Sequence, residues 1–528
     1  MPRSILASLL LSGAPLLLAS SCAGAGAPSQ PARSPAGGRA ALCRAEAAGL
    51  FGTMKGRMTV TAYVTRGQPA LDELASGIQK LLQGYKDAGR EKFDYTMVDA
   101  TSEDARARAK EAGLLEGKLV ETTGPDPKRP LGPAGYIGLV LRYGDHQDVM
   151  KFMRPDRAES IPLWLATMLR ELRERVEGAH HKIGILTGDG AIEPSETNLV
   201  PRSVGTFATQ AIIEEHFPFF SFVDVDLRGG DAEIAGDLDG LVVTQPGRDL
   251  TVRELRRIDQ FVMKGKALAV FAGAVNVKPG DATMTATLNL HGLDKLLDAY
   301  GITMNRDVVL DLHSPTVLDL QTTQGPEKVQ LEAVPDAKYH PGLDADARML
   351  DPTFPCLNGV DDIAVPFASS LTARPERQPD AELRNVIHTS PRAVRLTGDT
   401  ADLRLFRDWR SKLEGLPSER YLIGAAVTGT IRTAFPGRSE EGIDTAAQSR
   451  KPARVFVLPS AQFLANPFVV AGDGRDARSS GVSSPGGNEM MLGIAPVYAQ
   501  QNTAGFILVF KNTLSWMTLD DAGLACFQ

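Results

Sequence analysis

Reactive side chains at workable spacing are the first thing to look for in this chain. Cysteines stand at 22, 43, 356 and 526, with no CxxC pair and no His/Cys cluster, so neither a zinc site nor a redox dithiol is spelled out. The spacing leaves a Cys43–Cys356 bridge open. Gly113-Leu114-Leu115-Glu116-Gly117-Lys118-Leu119 comes nearest to a phosphate-binding loop. It is one residue short of GxxxxGK[ST] and lacks the hydroxyl that would hold Mg²⁺, so it reads as a helix end. No GxSxG occurs, and Ala267–Gly273 ends in Phe271-Ala272-Gly273, with no nucleophile on the strand-to-helix turn. Cys356 as nucleophile with His216 as base is the remaining hydrolase reading. The adjacent His180 and His181 point apart on any regular backbone and make no ligand pair. Asp224, Asp226 and Asp231 hint at calcium but lack the loop spacing and the closing Glu, so they read as a solvated strand end. Asp237 and Asp239 read as turn formers. The expectation is a chain that is not an enzyme and has no metal or cofactor.

One group of residues suits binding. Asp189, Gly190 and Glu193 follow the strand Lys182–Thr187, and Thr244, Gln245 and Arg248 follow the strand Gly240–Thr244. In open α/β sheets ligands settle outside the carboxyl ends of the strands, so these six are the candidate ligand-binding residues. Ordinary turn chemistry is the competing explanation.

These residues need elements to position them. A chain of 528 residues is too long for one core and implies two or three domains. Hydrophobic residues at 43% and charged residues at 23% are those of an ordinary globular protein. The net charge of −7 argues against nucleic acid as a partner. Arg253, Arg256 and Arg257 fall at helical spacing among acidic residues, as on a solvated helix face.

At the N-terminus, Arg3, the apolar stretch Ile5–Ala19 and the small residues before Cys22 are the marks of an export signal. The stretch is short for a spanning helix, which needs about 20 residues. Its end resembles a lipobox, which would make Cys22 the lipidated first residue of the mature chain. An uncleaved anchor in the inner membrane is the alternative. Residues 23–57 read as a flexible tether.

From 58 to 178 the pattern is β-α-β-α-β-β-α: strands at Thr59–Thr65, Phe93–Val98, Tyr136–Tyr143 and Asp148–Phe152, with helices at Leu71–Ala88, Glu103–Ala112 and Ile161–Val176. This resembles a thioredoxin-like layout. Where thioredoxins carry their cysteine pair, the chain reads Arg66-Gly67-Gln68-Pro69, so no thiolate is available. From 179 to 528 strands alternate with helices, predicting a doubly wound sheet that resembles the flavodoxin-like, amidotransferase-like class with a C-terminal extension. The region 312–356 lacks periodicity and reads as a long insertion. Residues 471–488, rich in Gly, Ser and Asp, read as a mobile loop, and Thr503–Met517 as helical.

Several segments in order carry a family likeness: Gly138–Asp145 (GLVLRYGD), Lys182–Gly190 (KIGILTGDG), Asp239–Lys266 (DGLVVTQPGRDLTVRELRRIDQFVMKGK), Leu293–Asp311, Arg454–Asn466 and Phe506–Trp516. From Thr59 onward the chain resembles the GldG-like auxiliary component of gliding-motility-type ABC transporters, the ABC-type uncharacterised transport system family. Members usually lie between two membrane helices. Here a lipobox-like signal stands at the N-terminus and the chain stops at Gln528, and Asp189 replaces the His expected in the glycine turn. The resemblance implies a non-catalytic accessory subunit acting by protein or ligand binding. Its partners would be an ABC permease and ATPase on other chains. It would be lipid-anchored in the cell envelope, facing the periplasm or the cell surface. The alternative is a carbohydrate- or cell-wall-binding envelope lipoprotein unconnected with transport.

Overall fold

The computed structural model describes residues 49–118, 134–188, 191–195, 199, 207–277, 284–322, 325–403, 413, 415–437, 443, 446–472 and 487–519. The chain divides into two units, Met1–Ala179 with Leu519–Gln528, and His180–Thr518. Several sheets with helices between them make a mixed α/β protein.

The first unit follows the chain order β1 (Met58–Val64), α1 (Pro69–Gly89), β2 (Phe93–Asp99), α2 (Glu103–Glu111), β3 (Ile137–Tyr143), β4 (His146–Met150) and α3 (Ile161–Glu177). Its sheet runs β2-β1-β3-β4, with β1 parallel to β2 and antiparallel to β3. Alternation in β1 sends Met58, Val60, Ala62 and Val64 inward, against Leu71, Ile78 and Leu82 of α1 and Leu165, Leu169 and Leu172 of α3. The near-phosphate loop is a helix end. Gly113 takes φ 90° after α2, and the Leu114 amide donates to Ala109 O at 3.1 Å, closing the helix with a left-handed glycine. The tether is shorter than the sequence suggested. Phe51 and Met54 are buried in this core, Phe51 packing on Phe93 with ring centroids 5.0 Å apart.

In the second unit the strands are β5 (His181–Leu186), β6 (Phe220–Val225), β7 (Gly240–Thr244), β8 (Ala267–Phe271), β9 (Val275–Val277), β10 (Thr285–Leu288), β11 (Ile302–Met304), β12 (Asp307–Asp311), β13 (Pro315–Thr322), β14 (Gly325–Lys338), β15 (Asp362–Ala364), β16 (Leu371–Ala373), β17 (Ala381–His388), β18 (Ala393–Thr397), β19 (Thr400–Asp402), β20 (Leu422–Gly429) and β21 (Ala453–Leu458). Between them lie α4 (Thr209–His216), α5 (Val252–Met263), α6 (Leu293–Ala299), α7 (Pro467–Gly472) and α8 (Gly487–Met517). The main sheet has nine strands. Its path is β11-β16-β20-β21-β8-β7-β5-β6, with β17 also paired to β20. The run β6-β5-β7-β8-β21 is parallel throughout, and β20 turns the sheet antiparallel. Every residue of β7, β8 and β21 is buried, as expected of strands covered on both faces.

Two expectations need correction. The C-terminal region is no appendage, because β21 lies between β8 and β20 in the middle of the sheet. The region 312–356 is no structureless insertion either: β13 and β14 form a long antiparallel hairpin. Val329, Leu331 and Ala333 point inward with period two, but prolines at 315, 326 and 335 masked the pattern. These prolines fall at the tip and where the register shifts near Pro315, positions a ladder tolerates. Of the expected mobile loop, residues 471–472 end α7 and 487–488 open α8, and those between lie outside the described residues. The last helix is longer than expected, with 31 residues. Among the described residues, no helix is long and apolar enough to cross a membrane.

One buried carboxylate ties three segments of this unit together. Asp259 on α5 accepts from Tyr300 Oη at 2.7 Å, Thr433 Oγ1 at 2.6 Å and the Ala434 amide at 2.9 Å. Burial pushes its carboxyl above the usual range, against the pull of these donors. Replacing Asp259 with Ala strands the three donors in the core. The expected loss is about 3 kcal/mol, read as a lower urea midpoint of the intact chain with an unchanged m-value; a shift within the error of the wild-type midpoint contradicts this role.

Candidate functional site

The parallel run reverses its direction of growth at β5, which sits between β6 and β7. The carboxyl ends of β5 and β7 therefore lie side by side in the parallel part of the sheet. Of the six candidate residues, Asp189 and Gly190 lie outside the described residues. Glu193 is half-buried on the segment leaving β5. That segment is laced to β7: the Ile192 amide donates to Gln245 O at 3.0 Å, and the Thr244 hydroxyl donates to Ile192 O. The structure thus brings Glu193, Thr244 and Gln245 to one place.

Arg248 does something else. Its guanidinium pairs with Glu254, with Nη2 at 2.9 Å from Oε1 and Nη1 at 3.2 Å from Oε2. Glu254 in turn closes a capping box at the start of α5. Its Oε2 accepts from the Thr251 amide at 2.8 Å, and its own amide donates to Thr251 Oγ1 at 3.2 Å. Burial works against the Glu254 charge, but Arg248 and Thr251 hold its carboxyl below the usual range. Arg248 therefore orders the turn after β7.

Sequence reading missed the partners of Gln245. Its Nε2 donates to Asn276 Oδ1 at 2.7 Å, and its Oε1 accepts from the Gly273 amide at 2.9 Å. The Asn276 amide nitrogen donates to Ala274 O at 2.9 Å and Asn289 O at 3.0 Å, which turns Oδ1 toward Gln245 and His291. His291 Nε2 lies 2.8 Å from Asn276 Oδ1, and its Nδ1 lies 3.1 Å from Asp249 Oδ1. Asn289 Nδ2 completes the chain by donating to Asp249 Oδ1 at 2.8 Å. Asn289 and His291 hold the Asp249 carboxyl below its usual range. The chain of polar groups runs from Asp249, largely exposed, to the buried amide of Gly273.

Backbone geometry supports this arrangement. His291 takes φ 51°, a left-handed conformation uncommon for residues other than glycine, followed by Gly292 at 82°. The His291 amide donates to Asn289 Oδ1 at 3.1 Å, and its carbonyl accepts from the Leu250 amide at 3.0 Å. At Gly273 a Cβ would stand 2.5 Å from Pro459 O, so only glycine lets the end of β8 pass so close to the segment after β21. The one hint available from sequence was Asn289-Leu290-His291-Gly292, a polar turn ending in glycine.

Of the other sequence candidates, Asp224 lies in β6, paired in register with Ile185, and most of the rest have structural partners. The Asp226 carboxylate accepts from the Arg228 amide at 2.9 Å, Asp231 pairs with Arg253 at 2.8 Å, and Asp237 pairs with Lys182 at 2.7 Å. Asp239 accepts from the Lys182 amide at 3.0 Å, and His181 Nδ1 lies 3.6 Å from Asp239. Among the described residues, no three His, Cys, Asp or Glu side chains are grouped to hold a metal ion. His216 Nδ1 lies 3.0 Å from Ile212 O, within its own helix. Cys356 is a free thiol, fully buried beside Thr513 of α8, and burial pushes it far above the ordinary thiol range. Cys22 and Cys43 lie outside the described residues.

Strand order and strand-end cluster together define an α/β protein with a polar, internally hydrogen-bonded set of side chains at the carboxyl ends of its parallel strands. A family model described as an ABC-type uncharacterized transport system matches residues 180–494, and the chain belongs to that family. It is an auxiliary component of an ABC-type transport system. No curated protein matches it. Among solved structures, one titled "mmIFT52 N-terminal domain" aligns with 53% of this chain and 86% of its own length, at 12% identity and a TM-score of 0.28.

The state of Cys356 is open to a direct measurement. A thiol reagent added to the folded chain should leave Cys356 unmodified for hours and label it within minutes in denaturant, as followed by peptide mass spectrometry. Labelling of Cys356 at the same rate in both states would contradict the burial described.

Proposed function

We propose that the chain works as a non-catalytic subunit on the outer side of the membrane, tethered through Cys22. It holds a partner chain or a small ligand at the carboxyl ends of its parallel strands. ATP hydrolysis and the translocation path belong to other chains, an ATPase and a permease. The observation that carries this reading is the cluster at β7 and β8. Gln245, Asn276, His291 and Asp249 are hydrogen-bonded to one another, and none of them is a nucleophile set beside a base. Groups held in this way are pre-organised for recognition.

Two fold assignments belong to the same proposal. The order β6-β5-β7-β8-β21, parallel throughout, supports a flavodoxin-like second unit. The order β2-β1-β3-β4, with its βαβ start and antiparallel hairpin, supports a thioredoxin-like first unit. That unit contains no cysteine between 44 and 179, so its role is scaffolding.

Purification of the tagged chain from its own membranes in mild detergent tests the proposal. An ATPase and a permease should co-purify, and the mature N-terminus should carry a diacylglycerol-modified Cys22 by intact mass. An Asn276→Ala, Gln245→Ala double variant should have a lower Tm, because the Gly273 amide loses its acceptor. At a temperature where it is still folded it should recover at least fivefold less partner, while the Asp259→Ala variant, also folded there, recovers wild-type amounts. Recovery of the chain alone, repeated across detergents, contradicts the proposed partnership.

A further inference from the structure

The hairpin β13–β14 is an arm. Asp319, Gln321, Pro326, Glu327 and Lys328 are exposed toward its tip. Its inner face, with Leu318, Val329, Leu331 and Val334, shares a buried cluster with Ile494, Ala495 and Tyr498 of α8. At the root stands Asp336. Its amide donates to Ser314 O at 2.8 Å and its carbonyl accepts from the Ser314 hydroxyl at 2.7 Å, so its backbone is clasped on both sides.

The side chain of Asp336 is far less well served. It keeps 13% of its surface, and Oδ2 lies 3.1 Å from Lys338 Nζ. Oδ1 is buried without a hydrogen-bond partner among the described residues. The charged and titratable groups that act on it are Lys338 on its own strand, Asp362 of β15, Asp311 at the end of β12 and the Tyr498 phenol of α8, with Asp361 in turn beside Asp362. Asp311 is a useful contrast, since its oxygens accept from the His313, Ser314 and Ser390 amides and the Ser390 hydroxyl. Asp336 has one cation and no such set of donors, and carboxylates crowd it.

We propose that Asp336 is a proton-operated joint at the root of the arm: neutral, it lets the hairpin seat on α8, and ionised, it loosens that seat. Burial pushes its carboxyl up to about 6, opposed by Lys338 and reinforced by Asp362 and Asp311. The folded value lies above the ordinary 3.8, so the arm is held most firmly below that pH. The contribution is lost as pH rises through the folded value. Between about pH 5 and about pH 7.5 the linkage corresponds to roughly a tenfold rise in the opening equilibrium of the arm. Nothing in this inference depends on which ligand or partner the strand-end cluster holds.

Hydrogen exchange of the intact chain at these two pH values, corrected for the intrinsic pH dependence of exchange, tests it. Amides of 325–338 should be protected about tenfold less at the higher pH. In Asp336→Asn the pH step should vanish, with protection at the higher pH rising above that of the wild type. In Lys338→Gln, which removes the cation nearest to Asp336 among the described residues, the midpoint should move to higher pH. A wild-type arm equally protected at both values, or an Asn variant that keeps the step, overturns the proposal. If Asp336→Asn does not fold, an unmoved midpoint in Lys338→Gln overturns it equally.

Discussion

The second unit depends on one pairing, the parallel register of Ala267–Phe271 with Arg454–Leu458. Residues 272–452 separate the carboxyl end of β8 from the amino end of β21, and that stretch also supplies β11, β16, β17 and β20 to the same sheet. Bringing two strands so far apart in sequence into register costs chain entropy that grows only slowly with the separation. Burial must offset this. All of β8 and β21 is enclosed, and Phe456 packs with Phe271, Phe354 and Trp516. The same strand receives the last helix, because Arg454 Nη1 donates to Trp516 O at 2.7 Å and so satisfies a carbonyl at the end of α8. A strand distant in sequence thereby fixes the middle of the sheet, the helix that follows it and the floor under the intervening segments.

That closure also shapes the strand-end cluster. Because Pro459 follows β21, its carbonyl lies against Gly273, and the Gly273 amide can reach Gln245 only along that narrow course. From Gln245 the order passes through Asn276 to His291 and Asp249. In a low-dielectric setting such a chain is worth having only when its members are matched, since an unmatched buried amide costs about 1–3 kcal/mol. The left-handed His291 is held on both sides, its ring between Asn276 and Asp249 and its carbonyl accepting from the Leu250 amide.

Elements whose signal is local were legible in the sequence. The strands Lys182–Thr187 and Gly240–Thr244 fall within a residue of those observed. The most family-specific stretch, Asp239–Lys266, contains Thr244, Gln245 and Asp249, so part of the candidate site was in view. What escaped depends on distance. Asn276 and His291 acquire meaning only when β9 and β10 fold back beside β7 and β8, and no periodicity announces that. The hairpin β13–β14 was hidden by prolines that sequence reading treats as breakers and the ladder places at its tip and irregularities. Its discovery moves a region assigned to a loop into the packed body of the unit.

The buried aspartates of this unit show how one residue type takes different physical roles. Asp307 accepts from the Ser370 amide at 2.7 Å and the Ser370 hydroxyl at 2.6 Å, with Arg395 3.7 Å away. Asp259 and Asp311 have three or more donors each. Donors directed at a carboxylate bind separate segments together, so these residues act as pins. Asp336 has the same burial pressure without the donors, and its one ammonium partner sits among further carboxylates. A pin is held by donors from several segments, and among the described residues Asp336 lacks them. The difference is made by hydroxyl and amide hydrogens a few residues away: Ser370 and Ser390 present both to their aspartates, whereas Ser314 gives its hydroxyl to the backbone of Asp336 and its amide to Asp311.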